Sequence, residues 1–311
     1  MKILATGDWH IRAKNPKYRI DNYYETLIDK IKWIFELAEK NNCVALIQPG
    51  DFFDSPDQAN YVSRDLIALI HKYDIDIYSV YGQHDQKFRN SENTIMSVLA
   101  EAKVINILSK DPISYSEGSK HIELYGASWD ESIPTPLETN NINILAAHKM
   151  VVGDKPLWAD QKDYTKAKSL LLKHSEYDLI ITGDNHQAFT YGKNFGSMLL
   201  NCGSLMRTTI AQRNHKPVVY IVDTNTSEVI PYYVPVKPIE EVMNLELADE
   251  TKERNEDLDA FMKGLSSEYD VELNFEDNLK NVIIENDIVD RIKDITNDYI
   301  RRYYDDDNRS G

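Results

Sequence analysis

Metal-ligand side chains recur at the ends of five short apolar stretches of this 311-residue chain. The five clusters are Gly7-Asp8-Trp9-His10, Gly50-Asp51, Gly82-Gln83-His84-Asp85, Ala147-His148 and Gly183-Asp184-Asn185-His186. Carboxylate and imidazole groups are good ligands for divalent metal ions, and two clusters that share a bridging carboxylate hold two ions about 4 Å apart. The pattern predicts a dinuclear metal centre if the fold brings these five segments together.

The residues before each cluster have the pattern of a buried strand. Each run is short and rich in Ile, Val, Leu and Tyr: residues 2–6, 43–48, 75–81, 142–146 and 178–182. Apolar residues at helical spacing predict amphipathic helices over residues 22–40 and 58–73. Further strands are predicted at residues 121–127, 197–202, 218–223 and 229–236. This order predicts an α/β fold of two packed mixed β-sheets flanked by helices, an αββα sandwich with the ligands on strand-end loops.

Composition indicates a soluble globular protein. The chain is 42% hydrophobic and 28% charged, and it contains no run of about 18 apolar residues that could span a membrane. Asp8 interrupts the first apolar run after five residues, which argues against a signal peptide and favours a cytoplasmic protein. The two cysteines, Cys43 and Cys202, lie in predicted strands, where reduced core thiols are expected rather than a disulfide.

The distribution of charge matters more than the total of −16. Residues 239–311 contain 22 acidic and 9 basic side chains, which leaves 29 acidic and 26 basic side chains in residues 1–238. A nearly neutral main region whose carboxylates bind metal can still accept a polyanionic substrate. Basic residues follow the ligand clusters closely, and they either belong to solvated loops or form a DNA-binding surface at the mouth of the site. The candidates for DNA contact are Arg12, Lys14, Lys87, Arg89 and Arg207.

The composition changes after residue 237. We expect one main domain over residues 1–237, a small capping domain of α+β or helical type over residues 238–285, a C-terminal helix over 286–304 and a disordered tail over 305–311. Five apolar residues of that helix recur every three or four positions on one stripe: Ile288, Ile292, Ile295, Tyr299 and Tyr303. The stripe either packs against the chain's own domain or docks a partner.

The ligand clusters resemble, in order, the motifs of the calcineurin-like metallophosphoesterase superfamily over about residues 1–235. The matching pattern is Gly-Asp-x-His, Gly-Asp-x-x-Asp from Asp51 to Asp54, Gly-x-His-Asp, a single His after a strand and a final Gly-x-x-His. Within the superfamily, Gly50 to Ser55, Asp85 after His84 and the segment Gly203-Ser204-Leu205-Met206-Arg207 most resemble the nuclease subunit of the SbcCD-type DNA repair complex. The shorter versions that bacteriophages encode for recombination are similar in size.

This resemblance implies a manganese-dependent exonuclease and endonuclease that forms a homodimer and acts on DNA ends with an SMC-like ATPase. It implies two divalent ions, Mn²⁺ or alternatively Mg²⁺, that activate a water molecule for phosphodiester hydrolysis. It places Asp8, His10 and His186 on the first ion and Asp51 between the two ions. The second ion would be held by Gln83, His148 and Asp184. His84 resembles the family's catalytic histidine, with Asp85 expected to orient its ring.

Two residues depart from the family pattern, and both belong to the second ion. Gln83 stands where the family has asparagine, and Asp184 stands where it has histidine. A carboxylate in place of an imidazole favours Mn²⁺ or Mg²⁺ over Zn²⁺. Two alternatives to a nuclease therefore stay open: a phosphoesterase for small substrates or phosphoproteins, and a catalytically weakened subunit that binds DNA or acts as a scaffold. The Asp that follows His84 argues against the phosphoprotein phosphatases, which usually have Glu there.

Overall fold

The computed structural model of the protein describes residues 1–138, 140–192 and 195–247. Its main compact unit is Met1–Met243, and a second unit is Asn244–Gly311. The predicted capping domain beyond residue 247, the C-terminal helix over 286–304 and the tail over 305–311 lie outside the described residues. No helix within the described ranges is long and apolar enough to cross a membrane.

Fourteen strands lie within the described residues. They are β1 (Lys2–Ala5), β2 (Cys43–Gln48), β3 (Asp76–Ser79), β4 (Asn106–Ile107), β5 (Ile113–Glu117), β6 (Lys120–Ala127), β7 (Ile142–His148), β8 (Val151–Val152), β9 (Thr165–Lys166), β10 (Leu179–Gly183), β11 (Phe189–Tyr191), β12 (Met198–Asn201), β13 (Val218–Asp223) and β14 (Glu228–Tyr233). The α-helices in the same part of the chain are α1 (Tyr23–Lys40), α2 (Asn60–Ile70), α3 (Ile95–Glu101), α4 (Ala167–Lys173) and α5 (Ile239–Val242), with a 3-10 turn at Ile210–Gln212.

Twelve of these strands form two six-stranded mixed sheets, as predicted. The first sheet has the order β14-β13-β1-β2-β3-β4 and the second has the order β11-β12-β10-β7-β6-β5, while β8 and β9 pair separately. Strands β1 to β4 run parallel, and so do β6, β7, β10 and β12, whereas β13, β14, β5 and β11 pair antiparallel with their neighbours. The carboxyl ends of the central parallel strands of each sheet therefore lie at one edge of that sheet, where the predicted ligands follow.

The core lies in three layers. Ile3, Ile47, Ile144 and Ile181 belong to a buried cluster contributed by strands of both sheets, so the sheets pack face to face. A second cluster joins the first sheet to the apolar faces of α1 and α2, and a third joins the second sheet to α4. The predicted αββα sandwich is therefore confirmed, with helices on both outer faces.

Helix α1 shows why the sequence forms these layers. The Asn22 side chain caps its first turn by accepting a hydrogen bond from the Glu25 amide at 3.3 Å. Its buried residues recur at helical spacing on one face: Leu27, Ile31, Ile34, Phe35 and Ala38. Burying that face removes apolar surface from water at about 25 cal/mol per Å², so the helix is fixed against the sheet by packing. This packing holds β1 and β2 in place, and the loops after those two strands carry Asp8, His10 and Asp51.

Candidate metal centre

The structure brings all seven predicted metal ligands to the same edge of the two sheets. Asp8 and His10 follow β1, Asp51 follows β2 and Gln83 follows β3, all in the first sheet. The second sheet supplies His148 from the end of β7, and Asp184 and His186 from the loop after β10. The contacts described below join residues from both sheets into one cluster.

The ligands predicted for the first ion meet closely. The Nε2 atoms of His10 and His186 are 2.9 Å apart, and His186 Nε2 lies 3.7 Å from Asp8 Oδ2. Ligand atoms of one octahedral ion at about 2.1 Å lie about 3 Å from each other, so these separations fit a shared ion. Within the part of the chain that the structure describes, Asp8, His10 and His186 offer three ligand atoms that all lie within 4.8 Å of one another.

Asp51 occupies the position between the two halves. Its Oδ2 atom is 3.6 Å from His10 Nε2 and 3.5 Å from His148 Nε2, one histidine from each predicted ion. Its other oxygen, Oδ1, accepts a hydrogen bond of 3.0 Å from the His84 amide. One oxygen of a fully buried carboxylate is therefore fixed by the backbone while the other faces both histidines, as a bridging ligand requires.

The half predicted for the second ion contains both departures from the family pattern, and these two residues contact each other. Gln83 Nε2 donates a hydrogen bond of 2.9 Å to Asp184 Oδ1. Gln83 Oε1 is buried without a hydrogen-bond partner. The backbone amide of Asp184 also donates to Asp8 Oδ2 at 2.9 Å, which ties this half to the first. Gln83 uses its amide nitrogen to hold Asp184 and keeps its oxygen as a possible ligand.

Five buried polar atoms of the cluster have no hydrogen-bond partner in the protein: Asp8 Oδ1, His10 Nδ1, Asp51 Oδ2, Gln83 Oε1 and His148 Nε2. A buried, unsatisfied polar group costs about 1–3 kcal/mol, and more if it is charged. All five atoms are oxygens or ring nitrogens, the kinds of atom that bind divalent cations, and between them their residues include predicted ligands of each ion. The donor set therefore fits two divalent metal ions, because bound cations would satisfy groups that the protein leaves unpaired.

Burial and mutual charge set the protonation of these groups. Burial lowers the pKa of His10 to about 3, against the opposing effect of Asp51, and burial likewise lowers the pKa of His186. Burial raises the pKa of Asp8 well above its ordinary value, and the charges of Asp51 and Asp184 raise it further. Burial opposes ionisation of Asp51, but His148 outweighs it and lowers the pKa of Asp51. His10 and His186 are thus held as neutral imidazoles, the form that binds metals.

The ligand loops hold a backbone conformation that only a few residue types adopt easily. His10, Asp51 and Asp184 have φ angles of 45°, 50° and 75°, in the left-handed region. Each such residue costs on the order of 1–3 kcal/mol, and residues of this kind concentrate at functional sites. The conformation turns the chain sharply at the strand end and aims each side chain into the cluster.

Two glycines of the motifs are required because the ligands lie against them. A Cβ atom on Gly183 would lie 2.5 Å from Asp8 Oδ1 and 2.8 Å from His148 Nδ1. A Cβ atom on Gly82 would lie 2.1 Å from Asp51 Oδ1. Contacts this short do not occur, so any larger residue would displace a ligand. These contacts explain why the clusters at residues 82–85 and 183–186 each begin with a residue that has no side chain.

His84 lies exposed beside this cluster. Its Nδ1 is 3.0 Å from the backbone oxygen of Asp54, and its ring centroid is 5.0 Å from that of His10. His84, His10 and Asp51 also offer three potential ligand atoms that all lie within 4.8 Å of one another. The ring is thus held at the edge of the centre, where it can reach a substrate.

The structure corrects the expectation that Asp85 orients the His84 ring. The Asp85 carboxylate is fully buried and accepts hydrogen bonds from the amides of Phe52, Phe53 and Gly82, at 3.1, 2.8 and 2.9 Å. Burial raises its pKa to about 7, with a further contribution from Asp51. A carboxylate that fills its oxygens with three backbone amides fixes the two loops to each other instead of the imidazole.

Asp54 was missed as a site residue, although it closes the Gly-Asp-x-x-Asp motif. Its backbone oxygen holds His84, its carboxylate binds the Arg12 guanidinium at 2.9 Å, and its Oδ1 is 3.9 Å from His10 Nδ1. The motif spacing was the available signal. Pro49 was also missed: its oxygen accepts from His148 Nδ1 at 2.7 Å, which directs Nε2 toward Asp51.

Four of the five predicted DNA contacts lie around this edge. Arg12 Nε donates to the backbone oxygen of Lys14, which is itself exposed. Lys87 pairs with Asp57 at 2.8 Å, and Arg89 pairs with Asp130 at 3.3 Å. These residues belong to loops that directly follow β1 and β3, so they border the candidate centre.

The structure does not bring Arg207 to that surface. Its side chain is buried, and its guanidinium donates to the backbone oxygens of Lys237 and Arg213. Arg19 donates to the Arg207 oxygen at 2.8 Å, and Lys30 donates to the Leu205 oxygen at 2.9 Å. These bonds fix the segment after β12, whose Leu205 amide in turn holds the Asp8 backbone oxygen at 2.8 Å. Arg207 therefore supports the Asp8 loop from behind.

Comparison with known proteins agrees with this geometry. A family model described as calcineurin-like phosphoesterase matches residues 1–188, which is more than half of the chain. The chain belongs to this family. Its members use a dinuclear metal centre, and the described residues include candidate ligands for one.

The chain is distantly similar to curated proteins that include an exonuclease subunit and a DNA repair protein. Exonuclease subunit 1 of Enterobacteria phage T4 is 30% identical over 111 residues, which cover 34% of this chain and 32% of that protein. The DNA double-strand break repair protein Mre11 of Sulfolobus acidocaldarius is 24% identical over 131 residues, which cover 41% of this chain and 33% of that protein. Each match thus spans about a third of the relative's length. A solved dimetal phosphatase from Danio rerio is 12% identical, with a TM-score of 0.46 over 76% of this chain and 99% of that one.

Proposed function

We propose that the chain is a DNA nuclease that hydrolyses phosphodiester bonds with two divalent metal ions, most simply Mn²⁺. The observation that carries the proposal is the convergence of six candidate ligands around a seventh, Asp51, with unpartnered buried atoms on five of the seven residues. The distant likeness to an exonuclease subunit and to a DNA double-strand break repair protein supports DNA as the substrate.

The chain's own residues divide the chemical roles. Asp8, His10 and His186 would hold one ion, and Gln83, His148 and Asp184 the other, with Asp51 between them. When bound, the two ions polarise the phosphodiester and lower the pKa of water into a usable range. His84 is exposed, and the Asp54 oxygen at 3.0 Å from Nδ1 favours a proton on that nitrogen and fixes the ring. A second proton, on Nε2, would then stabilise charge on the phosphate or pass to the leaving oxygen.

A cleft beside the centre favours a polymeric substrate over a small phosphoester. It has a volume of about 780 Å³, begins at Asp184 and His186, and extends along Trp158 and Tyr233. Those two aromatic side chains are 57% and 66% exposed. Exposed aromatic rings along such a cleft suit stacking with nucleobases.

Degradation of end-labelled linear DNA by the purified chain with Mn²⁺ tests the proposal. The wild type should cleave, and His84→Ala should lose activity by about 100- to 10,000-fold, because a positioned general acid or charge stabiliser contributes that much. His71→Ala is the matched control, since His71 is an exposed histidine at the end of α2. Full cleavage by His84→Ala would contradict the assigned role.

A phosphodiester that releases a dye on hydrolysis, together with an analysis of bound metal, separates the nuclease from the two alternative functions. Hydrolysis of the dye without cleavage of DNA would indicate a phosphoesterase for small substrates or a nuclease that needs its ATPase partner. No activity on either substrate, in a chain that binds DNA but no metal, would indicate a binding subunit in which Gln83 and Asp184 have dismantled the second site. The hydrogen bond between Gln83 and Asp184 is the observation that favours the binding subunit as a second candidate function.

The proposal includes an SMC-like ATPase partner of the SbcC type and a homodimer, both implied by the resemblance. The candidate docking helix over residues 286–304 lies outside the described residues. Deletion of residues 286–311 should leave dye hydrolysis intact and abolish co-purification with such an ATPase. Mass measurement in solution tests the dimer. Unchanged co-purification would show that the partner docks elsewhere.

A further inference from the structure

A two-residue turn just beyond His84 has an unusual composition. Lys87 and Asn90 exchange both backbone hydrogen bonds, each at 2.9 Å, and the two residues between them have φ angles of 52° for Phe88 and 61° for Arg89. Positive φ at both central positions is the mark of a type I′ turn. Such turns normally use Asn and Gly, because a side chain with a Cβ atom is strained in this conformation.

Phe88 gives the folded domain nothing that would offset this strain. Its side chain is 96% exposed, more than any other large hydrophobic residue of the described chain. The described structure records no ring contact for it. A bulky apolar residue in a strained backbone at an exposed tip indicates a functional constraint on that position.

The residues on either side of Phe88 form exposed ion pairs with neighbouring loops. Lys87 Nζ lies 2.8 Å from Asp57 Oδ2, in the loop that follows β2. The Arg89 guanidinium lies 3.3 Å from Asp130 Oδ2 and 5.6 Å from the centre of the Trp129 ring, in the loop that follows β6. The turn thus lies between two loops of the site edge, and its apolar tip is exposed to solvent four residues after His84.

We infer that Phe88 stacks on an unpaired nucleobase at the end of the DNA strand. The inference rests on the proposed nuclease function and sharpens its substrate class to DNA ends with unpaired or frayed terminal nucleotides. A flat aromatic ring offers any base a stacking surface, and the ion pairs of Lys87 and Arg89 are exposed, so both cations can exchange their carboxylates for phosphates on either side. Because every base has a flat face, this contact needs no sequence preference.

The test measures binding of the full-length chain to duplexes with a short unpaired end, with intact bases or with abasic nucleotides in the overhang. Phe88→Ala should weaken binding to the intact overhang by about 5- to 150-fold, the range for loss of one stacked base. Wild type and Phe88→Ala should bind the abasic overhang equally, because its phosphates remain while the stacking partner is gone. A 2-aminopurine base in the overhang should lose fluorescence on binding wild type and not on binding Phe88→Ala.

Three further variants separate stacking from damage to the turn. Phe88→Tyr keeps an aromatic ring and should bind as the wild type does. Phe88→Asn suits the left-handed backbone, so it should raise the melting temperature by about 2–4 °C while it weakens binding as Ala does. Leu172→Ala removes a side chain of α4 that is 71% exposed and should change neither property.

Several outcomes would overturn the inference. Equal losses on intact and abasic overhangs would show that Phe88 does not stack on a base. Wild-type affinity in Phe88→Ala, together with loss of a protein partner, would make the turn a protein-docking element. If the wild-type chain neither binds nor cleaves DNA, both the nuclease proposal and this inference are wrong. The cleavage assay on the wild type detects that case without any variant.

Discussion

The two halves of the candidate centre share Asp51 but are built differently. In the first half the histidines meet directly, with 2.9 Å between the Nε2 atoms of His10 and His186. In the second half a hydrogen bond of the same length joins the two residues that depart from the family pattern, Gln83 and Asp184. This hydrogen bond links the two departures physically, because the longer amide of Gln83 reaches the carboxylate that replaces the imidazole.

The largest effect should come from the residue that belongs to both halves. Asp51→Asn removes the negative charge that faces His10 and His148, so both ions should bind poorly and cleavage should fall by at least about 1000-fold. DNA cleavage and the metal content of the purified chain measure this. Asp74→Asn, at an exposed aspartate, is the control. Two retained ions with cleavage within tenfold of wild type would exclude a bridging role.

Removing one histidine from each half should separate the two ions. The second half relies on an amide oxygen, a weaker ligand than imidazole, so we expect Mn²⁺ titration of the wild type to show a tight and a weak phase. His148→Ala should remove the weak phase and His186→Ala the tight one, each with about 100-fold less cleavage. Calorimetry resolves the phases, with His121→Ala as an exposed control. Loss of the same phase in both variants would show that His148 and His186 do not serve separate ions.

Gly183→Ala should disturb the point at which the halves meet. The added Cβ atom would lie within 2.8 Å of atoms of both Asp8 and His148. We expect a loss of about 1–3 kcal/mol in the free energy of unfolding and about 10- to 100-fold weaker metal binding. Gly153→Ala is the matched control, because its Cβ atom would meet nothing closer than 3.9 Å. Equal stability of the two variants in thermal unfolding would show that the loop yields freely.

The smallest effect should come from restoring the family residues. Gln83→Asn and Asp184→His each remove the bond between the two side chains, so each single change should weaken the second ion by about tenfold. The double variant should bind better than the sum of the single changes predicts, with a coupling of about 0.5–3 kcal/mol. It should also shift preference toward Zn²⁺, since imidazole is a softer ligand than carboxylate. Additive effects in metal titrations would show that the departures are independent.

Much of the architecture could be predicted because the spacing of apolar residues reflects which faces of strands and helices become buried. The run over 43–48 became β2 without a change of bounds, and the run over 22–40 became α1 with Asn22 as its cap. The predicted helix over 58–73 is shorter in the structure, at Asn60–Ile70. The helices α3 and α4 were not predicted, since each has only seven residues and too few turns to show a period.

The site could be predicted as a set of residues but not as a set of contacts. Residue types and strand ends identified Asp8, Asp51 and His148, because parallel strands end at one edge. The inward turn of Asp85 and the burial of Arg207 depend on which backbone groups need partners after folding. Tertiary packing decides which backbone groups need hydrogen-bond partners, and the spacing of residues in the sequence does not show this.

The origin of the ligands in two different sheets has a mechanical consequence. Asp8 and His10 come from the first sheet, and His186, which completes their cluster, comes from the second sheet, 176 residues along the chain from His10. An ion held by all three would cross-link the sandwich at one edge and close a loop longer than most disulfides do. Closing such a loop restricts the unfolded chain by an amount worth on the order of 5 kcal/mol. Chelation would therefore act on this domain much as reduction acts on a protein held by a disulfide, freeing one edge of the two layers while each sheet stays paired.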